Sequence, residues 1–402
     1  MVDTRILLPL LLSILGLIAT AEAQTPTRLF GPKTYARTAG APNQFTERFC
    51  ATTSSGSFTL IVENGKDGEN RLSSAVLTLN GQAVLRPQDL NQQAARVERV
   101  VSLHEENRLE VELRGSPGGF LTVRLECVGC LEVRIESPTV GGLMNQPSVL
   151  VTGTIQTAAP EVGVTVNGVL AQVNGTRFAA QGVPLQIGTN TLTVTATDFC
   201  QAVTTDTITV QTTALPEPTV LLTVSPSSGL APLATTLSIA SLIPGPLARV
   251  EVDFEGDGVI DHAASTLADL PHTYATEQFY FPTVTLTDAS GNRVTATTPV
   301  NVFPLPDLPA KWEGMKGALT RGDIEAALRF IVASARPQYK AAFTVLAPDL
   351  PAIDSILADL TFVRVRGRET IFEMLRTDAG VLKSFEIRFS VDADGIWRLR
   401  AF

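Results

Sequence analysis

The feature that most constrains this chain is the alternation of apolar and polar residues along much of its length. In the first third it is clearest at 58–62, 75–79, 109–113 and 121–125. Side chains of a β-strand point alternately to its two faces, so each segment predicts a half-buried strand. The dipeptides between them favour the left-handed backbone of tight hairpins: Asn64-Gly65, Asn80-Gly81 and Gly118-Gly119. The pattern predicts a mainly β chain.

The charge of the chain argues against nucleic acid as a partner. Only 18% of the 402 residues are charged, and the net charge is -9. Between residues 135 and 310 the basic side chains are Arg177, Arg249 and Arg293 alone. A protein that binds nucleic acid must neutralise a run of phosphates, and such a surface cannot be built from this composition.

The first residues have the features of a secretory signal. Arg5 precedes an apolar run that ends near Ala19, and Ala21-Glu22-Ala23 is a small-residue cleavage site before Gln24. The run is shorter than the roughly 20 residues that a spanning helix needs. We therefore expect cleavage between Ala23 and Gln24, no membrane span in the mature chain, and an exported protein that is periplasmic, extracellular or on the cell surface.

Four cysteines agree with an oxidising destination: Cys50, Cys127, Cys130 and Cys200. Three pairings are open, and the preferred one joins Cys50 to Cys127 and Cys130 to Cys200. A redox role for the C-x-x-C of Cys127 and Cys130 is disfavoured, because a strand-like segment follows it where a redox motif opens a helix. A four-thiolate zinc site is disfavoured further.

Residues 24–136 and 137–213 each predict a β-sandwich domain. The first contains Leu79-Asn80-Gly81 and the hairpin 107–118, and it resembles a module at the front of exported bacterial proteins. The second resembles the immunoglobulin-like domain named after domain B of glucodextranase, in three segments: 164–168, 178–185 and 188–198. Neither resemblance implies catalytic residues.

Residues 217–303 resemble a polycystic-kidney-disease (PKD) domain. The similarity is carried by Asp253-Phe254-Glu255-Gly256-Asp257-Gly258, His272-Thr273-Tyr274 and the segment 284–288, with Val252 where that family usually has tryptophan. The resemblance implies a third immunoglobulin-like sandwich, of a kind used as a spacer, an adhesive module or a polysaccharide-associated module in exported bacterial proteins.

After Pro304, Pro306 and Pro309 the apolar pattern becomes helical. Helical segments are predicted near 308–319, 324–332, 337–346 and 351–358, with Asp323 as an N-cap. Strands follow at 360–366, 370–376, 384–391 and 396–402. This order predicts a small α+β domain over 307–402, and it resembles the cystatin-like cone of the nuclear-transport-factor family.

No catalytic constellation is evident in the sequence. The three histidines lack an obvious serine or cysteine partner, and no G-x-S-x-G motif occurs. Asp253, Glu255 and Asp257 partly match a calcium loop, but Ala264 stands where a bidentate glutamate is needed. An acidic turn is favoured there over a weak calcium site, and no other cofactor is expected.

The sequence thus predicts an exported, non-catalytic surface protein. In this hypothesis three sandwiches form a stalk that projects the last domain, for adhesion or for contact with a polysaccharide or a cell-envelope protein. The alternative is a C-terminal domain that binds a small ligand or is a degenerate enzyme, carried on a β-sandwich spacer. A pocket lined by five aromatic rings would favour that alternative: Phe330, Phe343, Phe362, Phe372 and Phe389.

Overall fold

The computed structural model describes residues 26–51, 57–157, 159–217 and 219–402. It confirms a mainly β chain with a small helical region near its C-terminus. The predicted cleavage site, Ala23 and Gln24, lies outside the described residues. Among the residues described, no helix combines the length and the apolar character that crossing a bilayer requires.

The first sandwich is formed by eight strands in two sheets. The strands are β1 (Thr27–Ala36), β2 (Asn43–Cys50), β3 (Ser57–Asn64), β4 (Ser74–Leu79), β5 (Gln82–Leu85), β6 (Arg96–Val101), β7 (Glu106–Arg114) and β8 (Phe120–Val128). One sheet has the order β1-β8-β3-β6 and the other β2-β7-β4-β5. The apolar residues of the alternating pattern, such as Leu77, Leu109 and Leu121, are fully buried between the sheets.

The second sandwich also has eight strands. They are β9 (Leu131–Ser137), β10 (Ser148–Thr157), β11 (Val162–Val166), β12 (Val169–Leu170), β13 (Gln172–Asn174), β14 (Arg177–Pro184), β15 (Gly188–Asp198) and β16 (Val203–Thr212). Because β9 pairs with β10, this domain begins at Leu131, earlier than the expected residue 137. Its β16 pairs with β1 at Arg28 and Val203, so one eight-stranded sheet runs through both sandwiches.

The disulfide bonds correct the preferred pairing. Cys50 is bonded to Cys200, with 5.4 Å between their Cα atoms, and Cys127 is bonded to Cys130. The chain reverses at Gly129 between β8 and β9, which places Cys130 beside Cys127. Cys200 lies in the turn after β15, and Cys50 is the last residue of β2. The first bond therefore joins the two sandwiches, and the second closes a local loop.

The third sandwich is built from ten strands: β17 (Val220–Ser225), β18 (Ser228–Gly229), β19 (Leu233–Ser241), β20 (Leu247–Asp253), β21 (His262–Ala264), β22 (Leu270–Tyr274), β23 (Gln278–Tyr280), β24 (Thr283–Asp288), β25 (Arg293–Thr297) and β26 (Val300–Val302). Val252 is fully buried in its core. Buried Asn301 joins this domain to the second, because its Oδ1 accepts a 2.9 Å hydrogen bond from Asn174.

The C-terminal domain places helices on one face of an antiparallel sheet. Its elements are α1 (Leu308–Thr320), α2 (Ile324–Leu328), α3 (Arg336–Val345), a 3-10 helix (Leu350–Ser355), β27 (Leu360–Arg366), β28 (Glu369–Asp378), β29 (Val381–Val391) and β30 (Trp397–Ala401). Asp323 caps α2 as expected, accepting a hydrogen bond from Ala326 N at 3.0 Å. The helix stops at Leu328, before the expected Val332, because the Val332 amide donates to Leu399 O in β30.

The C-terminal domain folds back onto the first two sandwiches, which corrects the expected projecting arrangement. Arg48 of the first sandwich forms an ion pair with Asp323 at 3.1 Å. Glu106 of the same sandwich pairs with Arg329, also at 3.1 Å. The four domains therefore surround a common space.

Candidate functional site

A cavity of about 1120 Å³ lies between the domains, and we call it the interdomain cavity. The first sandwich contributes Cys50 and the segment 105–106, and the second contributes residues 159–162 and 171–175. Further lining residues come from the third sandwich, from the proline-rich segment after it and from helix α1. No single domain encloses this space, so it exists only when the domains are packed together.

Glu161, Lys311 and Trp397 link the second sandwich to the C-terminal domain in the wall of the cavity. The Glu161 carboxylate accepts a hydrogen bond from the Trp397 amide at 2.8 Å and also forms an ion pair with Lys311. Lys311 donates to the Trp397 carbonyl oxygen and lies 5.2 Å from the centre of the Phe199 ring. One carboxylate and one ammonium group thus fix both polar atoms of the Trp397 backbone.

The ion pair between Glu161 and Lys311 is largely removed from water. Burial of the Lys311 ammonium lowers its pKa, and the neighbouring Glu161 carboxylate opposes that shift. A charged pair removed from water is costly unless its hydrogen bonds are satisfied. Here both partners have additional bonds to Trp397, so removing either one leaves the other buried without its partner.

Aromatic rings form a second contact across the same wall. Phe199 of the second sandwich and Phe330 of the C-terminal domain have ring centres 4.8 Å apart. Gly314 in α1 leaves room for the Phe330 ring, since a Cβ there would lie 2.5 Å from its Cζ atom. Such a pair contributes about 0.5–1.5 kcal/mol beyond the area it buries.

The five rings proposed to line a C-terminal pocket do not do so together. Phe343, Phe372 and Phe389 are buried in the core of the domain, and Phe362 is 39% exposed at the sheet edge. Phe330 alone among the five lines the interdomain cavity. The pocket that would have favoured a ligand-binding C-terminal domain is therefore not formed by these five rings, three of which fill the space between the helices and the sheet.

The polar lining of the cavity is nearly balanced in charge. It contains five carboxylates and four cationic side chains: Glu105, Glu106, Glu161, Asp307, Glu313, Lys311, Arg321, Arg329 and Arg368. Several are paired with one another, as in Glu161 with Lys311 and Glu106 with Arg329. Gln172 adds an amide whose Oε1 has no donor within the described part of the chain. A lining of this kind suits an uncharged polar ligand better than a polyanion.

The acidic turn of the third sandwich lies outside the cavity. Asp253 accepts hydrogen bonds from the backbone amides of Gly256 and Gly258, both at 2.7 Å, and so organises the turn. Asp257 accepts from the Val259 amide. The carboxylates that come within 4.8 Å of one another belong to Asp253, Glu255 and Asp261, so the structure replaces Asp257 of the predicted set with Asp261. Calcium binding here stays a prediction.

His272 lies beside this acidic turn. Its ring stacks on Phe254 with centres 4.3 Å apart, and its Nε2 lies 3.3 Å from a Glu255 oxygen. Burial lowers the pKa of His272, and the Asp261 charge opposes that shift. Burial and the hydrogen-bonded Asp261 carboxyl both raise the pKa of Glu255. These contacts explain His272 as a packed residue of the sandwich.

Comparison with protein families finds a match to the family described as glucodextranase, domain B, over residues 131–214. The match starts where β9 starts, and it supports an immunoglobulin-like second domain. Domain B of glucodextranase is itself a non-catalytic immunoglobulin-like domain. Comparison with curated proteins finds no match.

Solved structures share only a distant likeness with this chain. The fibronectin(III)-like modules of CbhA from Clostridium thermocellum are 17% identical, with 43% of this chain and 94% of that chain covered and a TM-score of 0.18. Dimeric latent PorU from Porphyromonas gingivalis is 10% identical, with 70% and 34% covered and a TM-score of 0.26. β-Glucuronidase 3 from Bacteroides uniformis is 16% identical, with 43% and 25% covered and a TM-score of 0.16.

Sequence reasoning missed the interdomain cavity entirely. Phe199 and Glu161 lie more than a hundred residues before their partners in the C-terminal domain. Nothing in their local pattern marks them as contacts. The one available signal was Lys311, the first lysine after a long lysine-free stretch that begins at Asp67.

Proposed function

We propose that this chain is an exported, non-catalytic binding protein of the bacterial envelope, and that it contacts a polysaccharide or an envelope protein through the interdomain cavity. Disulfide bonds and the match to glucodextranase domain B support an extracellular, non-catalytic setting. We also propose that the third sandwich is a PKD domain and that the C-terminal domain is a cystatin-like cone.

The observation that carries the proposal is the convergence of four domains on one cavity. A spacer array needs only end-to-end contacts, whereas here four domains converge on one space of about 1120 Å³. Large concave sites at domain interfaces with a few convergent polar groups are the usual places for ligands. The aromatic rings and the paired charges of this wall supply both stacking surfaces and hydrogen-bonding groups.

Export is tested by sequencing the N-terminus of the secreted protein. We expect it to begin at Gln24. A secreted chain that retains the residues before Ala23, or a chain confined to the cytoplasm, would contradict the proposed destination.

Binding is tested by incubating the full secreted chain with insoluble polysaccharides and with cell-envelope fractions. We expect retention on at least one of these materials without release of soluble sugar. Release of reducing sugar would overturn the non-catalytic assignment. Absence of retention on every polysaccharide and every envelope fraction would overturn the binding function.

A further inference from the structure

Trp397 differs from the other tryptophan of the chain in what its indole group contacts. Trp312 is 1% exposed, and its Nε1 donates to Ala358 O at 2.9 Å. Trp397 is partly exposed and lines the interdomain cavity. Within the described ranges, its Nε1 has no acceptor and is not among the buried unpaired atoms. The Trp397 indole N–H is therefore a donor available to a ligand.

The backbone of Trp397 is held rigidly. Its amide donates to Glu161 and its carbonyl oxygen accepts from Lys311. Trp397 is also the first residue of β30, where it pairs with Val391, and it packs against the core of the C-terminal domain. A ring presented from a paired strand loses little conformational freedom on binding, which favours affinity.

The surroundings of Trp397 select the chemistry of the ligand. A polyanion would meet Glu105, Glu106 and Glu161 in the same cavity, and a polycation would meet Lys311 and three arginines. A purely apolar ligand would cover the Trp397 indole N–H without giving it an acceptor. A neutral ligand with many hydroxyl groups and an apolar ring face fits both the indole and the polar wall.

We propose that the interdomain cavity binds a segment of a neutral polysaccharide, with the unpaired Trp397 Nε1 as a hydrogen-bond donor to a sugar hydroxyl. This inference rests on the proposed function and names its ligand class and its central residue. The cavity volume of about 1120 Å³ exceeds the roughly 300–1,000 Å³ of sites for drug-sized molecules, so it accommodates several sugar rings.

The two tryptophans provide a direct test by fluorescence. The full chain carrying Trp312→Phe has Trp397 as its sole tryptophan, and the chain carrying Trp397→Phe has only the buried Trp312. Each is titrated with isomalto-, malto- and cello-oligosaccharides, and with oligogalacturonate as the anionic comparison. We expect a saturable emission change in Trp312→Phe with at least one neutral oligosaccharide. We expect no comparable change with oligogalacturonate.

Calorimetry on the same proteins keeps the test independent of the fluorophore. We expect Trp397→Phe, which keeps an aromatic ring but lacks the N–H donor, to bind the effective oligosaccharide up to about tenfold more weakly, as when one hydrogen bond is lost. We expect Trp312→Phe to bind like the wild type. Far-ultraviolet circular dichroism and a count of free thiols show whether each variant is folded.

Three results would overturn the inference. Heat of binding with unchanged emission in Trp312→Phe places the sugar elsewhere, and the proposed polysaccharide contact then stands while this site falls. Tighter binding of oligogalacturonate than of any neutral oligosaccharide would show that the ligand is not a neutral polysaccharide. No heat of binding with any oligosaccharide, together with retention on envelope protein, would exclude a sugar ligand and support protein contact as the function.

Discussion

At the scale of single residues, the sequence shows which side chains are polar but not what they bind. Asn64-Gly65 was expected to form a tight hairpin turn, yet β3 and β4 belong to different sheets. The Asn64 side chain is 2% exposed and accepts from Leu72 N at 2.7 Å. Its Nδ2 lies near three carbonyl oxygens, of Leu72, Asn91 and Ala94. A dipeptide pattern cannot distinguish such a buried anchor from an exposed turn, since both use asparagine.

Replacing this anchor should destabilise the first sandwich. Asn64→Ala leaves buried backbone groups without partners, and we expect the free energy of unfolding to fall by about 2–4 kcal/mol. Asn292→Ala is the matched control, because Asn292 is exposed and its side chain donates to Asp288 in a solvent-exposed hydrogen bond. Urea denaturation followed by circular dichroism gives both values. Equal losses in the two variants would refute the role of Asn64.

We expect Glu255 in the acidic turn to make the stability of the protein depend on pH. Its pKa is raised in the folded protein, so the folded state binds more protons than the unfolded state, and stability falls as pH rises from about 4 through the raised value. Glu255→Gln should therefore stabilise the protein at neutral pH, by less than about 1 kcal/mol because the side chain is partly exposed. The gain should vanish near pH 4. Thermal unfolding across pH measures it, with the exposed Glu277→Gln as control.

Calcium binding at the same acidic turn can be tested by its effect on thermal stability. If Asp253, Glu255 and Asp261 hold a calcium ion, millimolar calcium should stabilise the wild type more than Glu255→Gln in the same thermal scans. An equal response of the two proteins would count against a calcium site there.

At the scale of elements, the apolar periodicity predicted the strands well, whereas the turn dipeptides predicted the hairpins only in part. The strand predicted at 360–366 has the same bounds as β27, and the turn at Asn80 has the expected positive φ. Gly118-Gly119, in contrast, connects β7 of one sheet to β8 of the other. Alternation reports that one face of a strand is buried, whichever sheet covers it. Sheet membership depends on long-range pairing, which local residues do not encode.

The contact between two elements of different domains can be tested at Gly163 in β11. A Cβ there would lie 2.6 Å from the Gly395 Cα atom in the turn before β30, too close for the present packing. Gly163→Ala should therefore push the C-terminal domain away and speed protease cleavage in the segment 303–307. Gly317→Ala is the matched control, since its Cβ would lie 3.5 Å from the nearest atom, on Arg321. Cleavage at equal rates in both variants would contradict the close contact.

At the scale of the whole molecule, the sequence predicted a mainly β chain with a small helical region near its C-terminus, but not how these parts pack against one another. The three predicted sandwiches were expected to form a stalk, whereas the chain has one sheet shared by two sandwiches and a last domain folded back on them. Contacts such as Phe199 with Phe330 join residues far apart in sequence. They contribute no periodic signal, so the cavity they border could be found only in three dimensions.

The two disulfide bonds should contribute unequally to stability, because one joins two sandwiches and the other closes a local loop. Cys50 and Cys200 are 150 residues apart, and Cys127 and Cys130 are three apart. Loop-closure entropy then assigns about 5 kcal/mol to the first bond and about 2 kcal/mol to the second. We expect the double variant Cys50→Ala/Cys200→Ala to be the less stable in urea denaturation. We also expect it to lose packing between the two sandwiches, seen as faster hydrogen exchange at β1 and β16. Cys127→Ala/Cys130→Ala is the control, and a larger loss of stability in that variant would show that the local loop, and not the link between sandwiches, stabilises this part of the molecule.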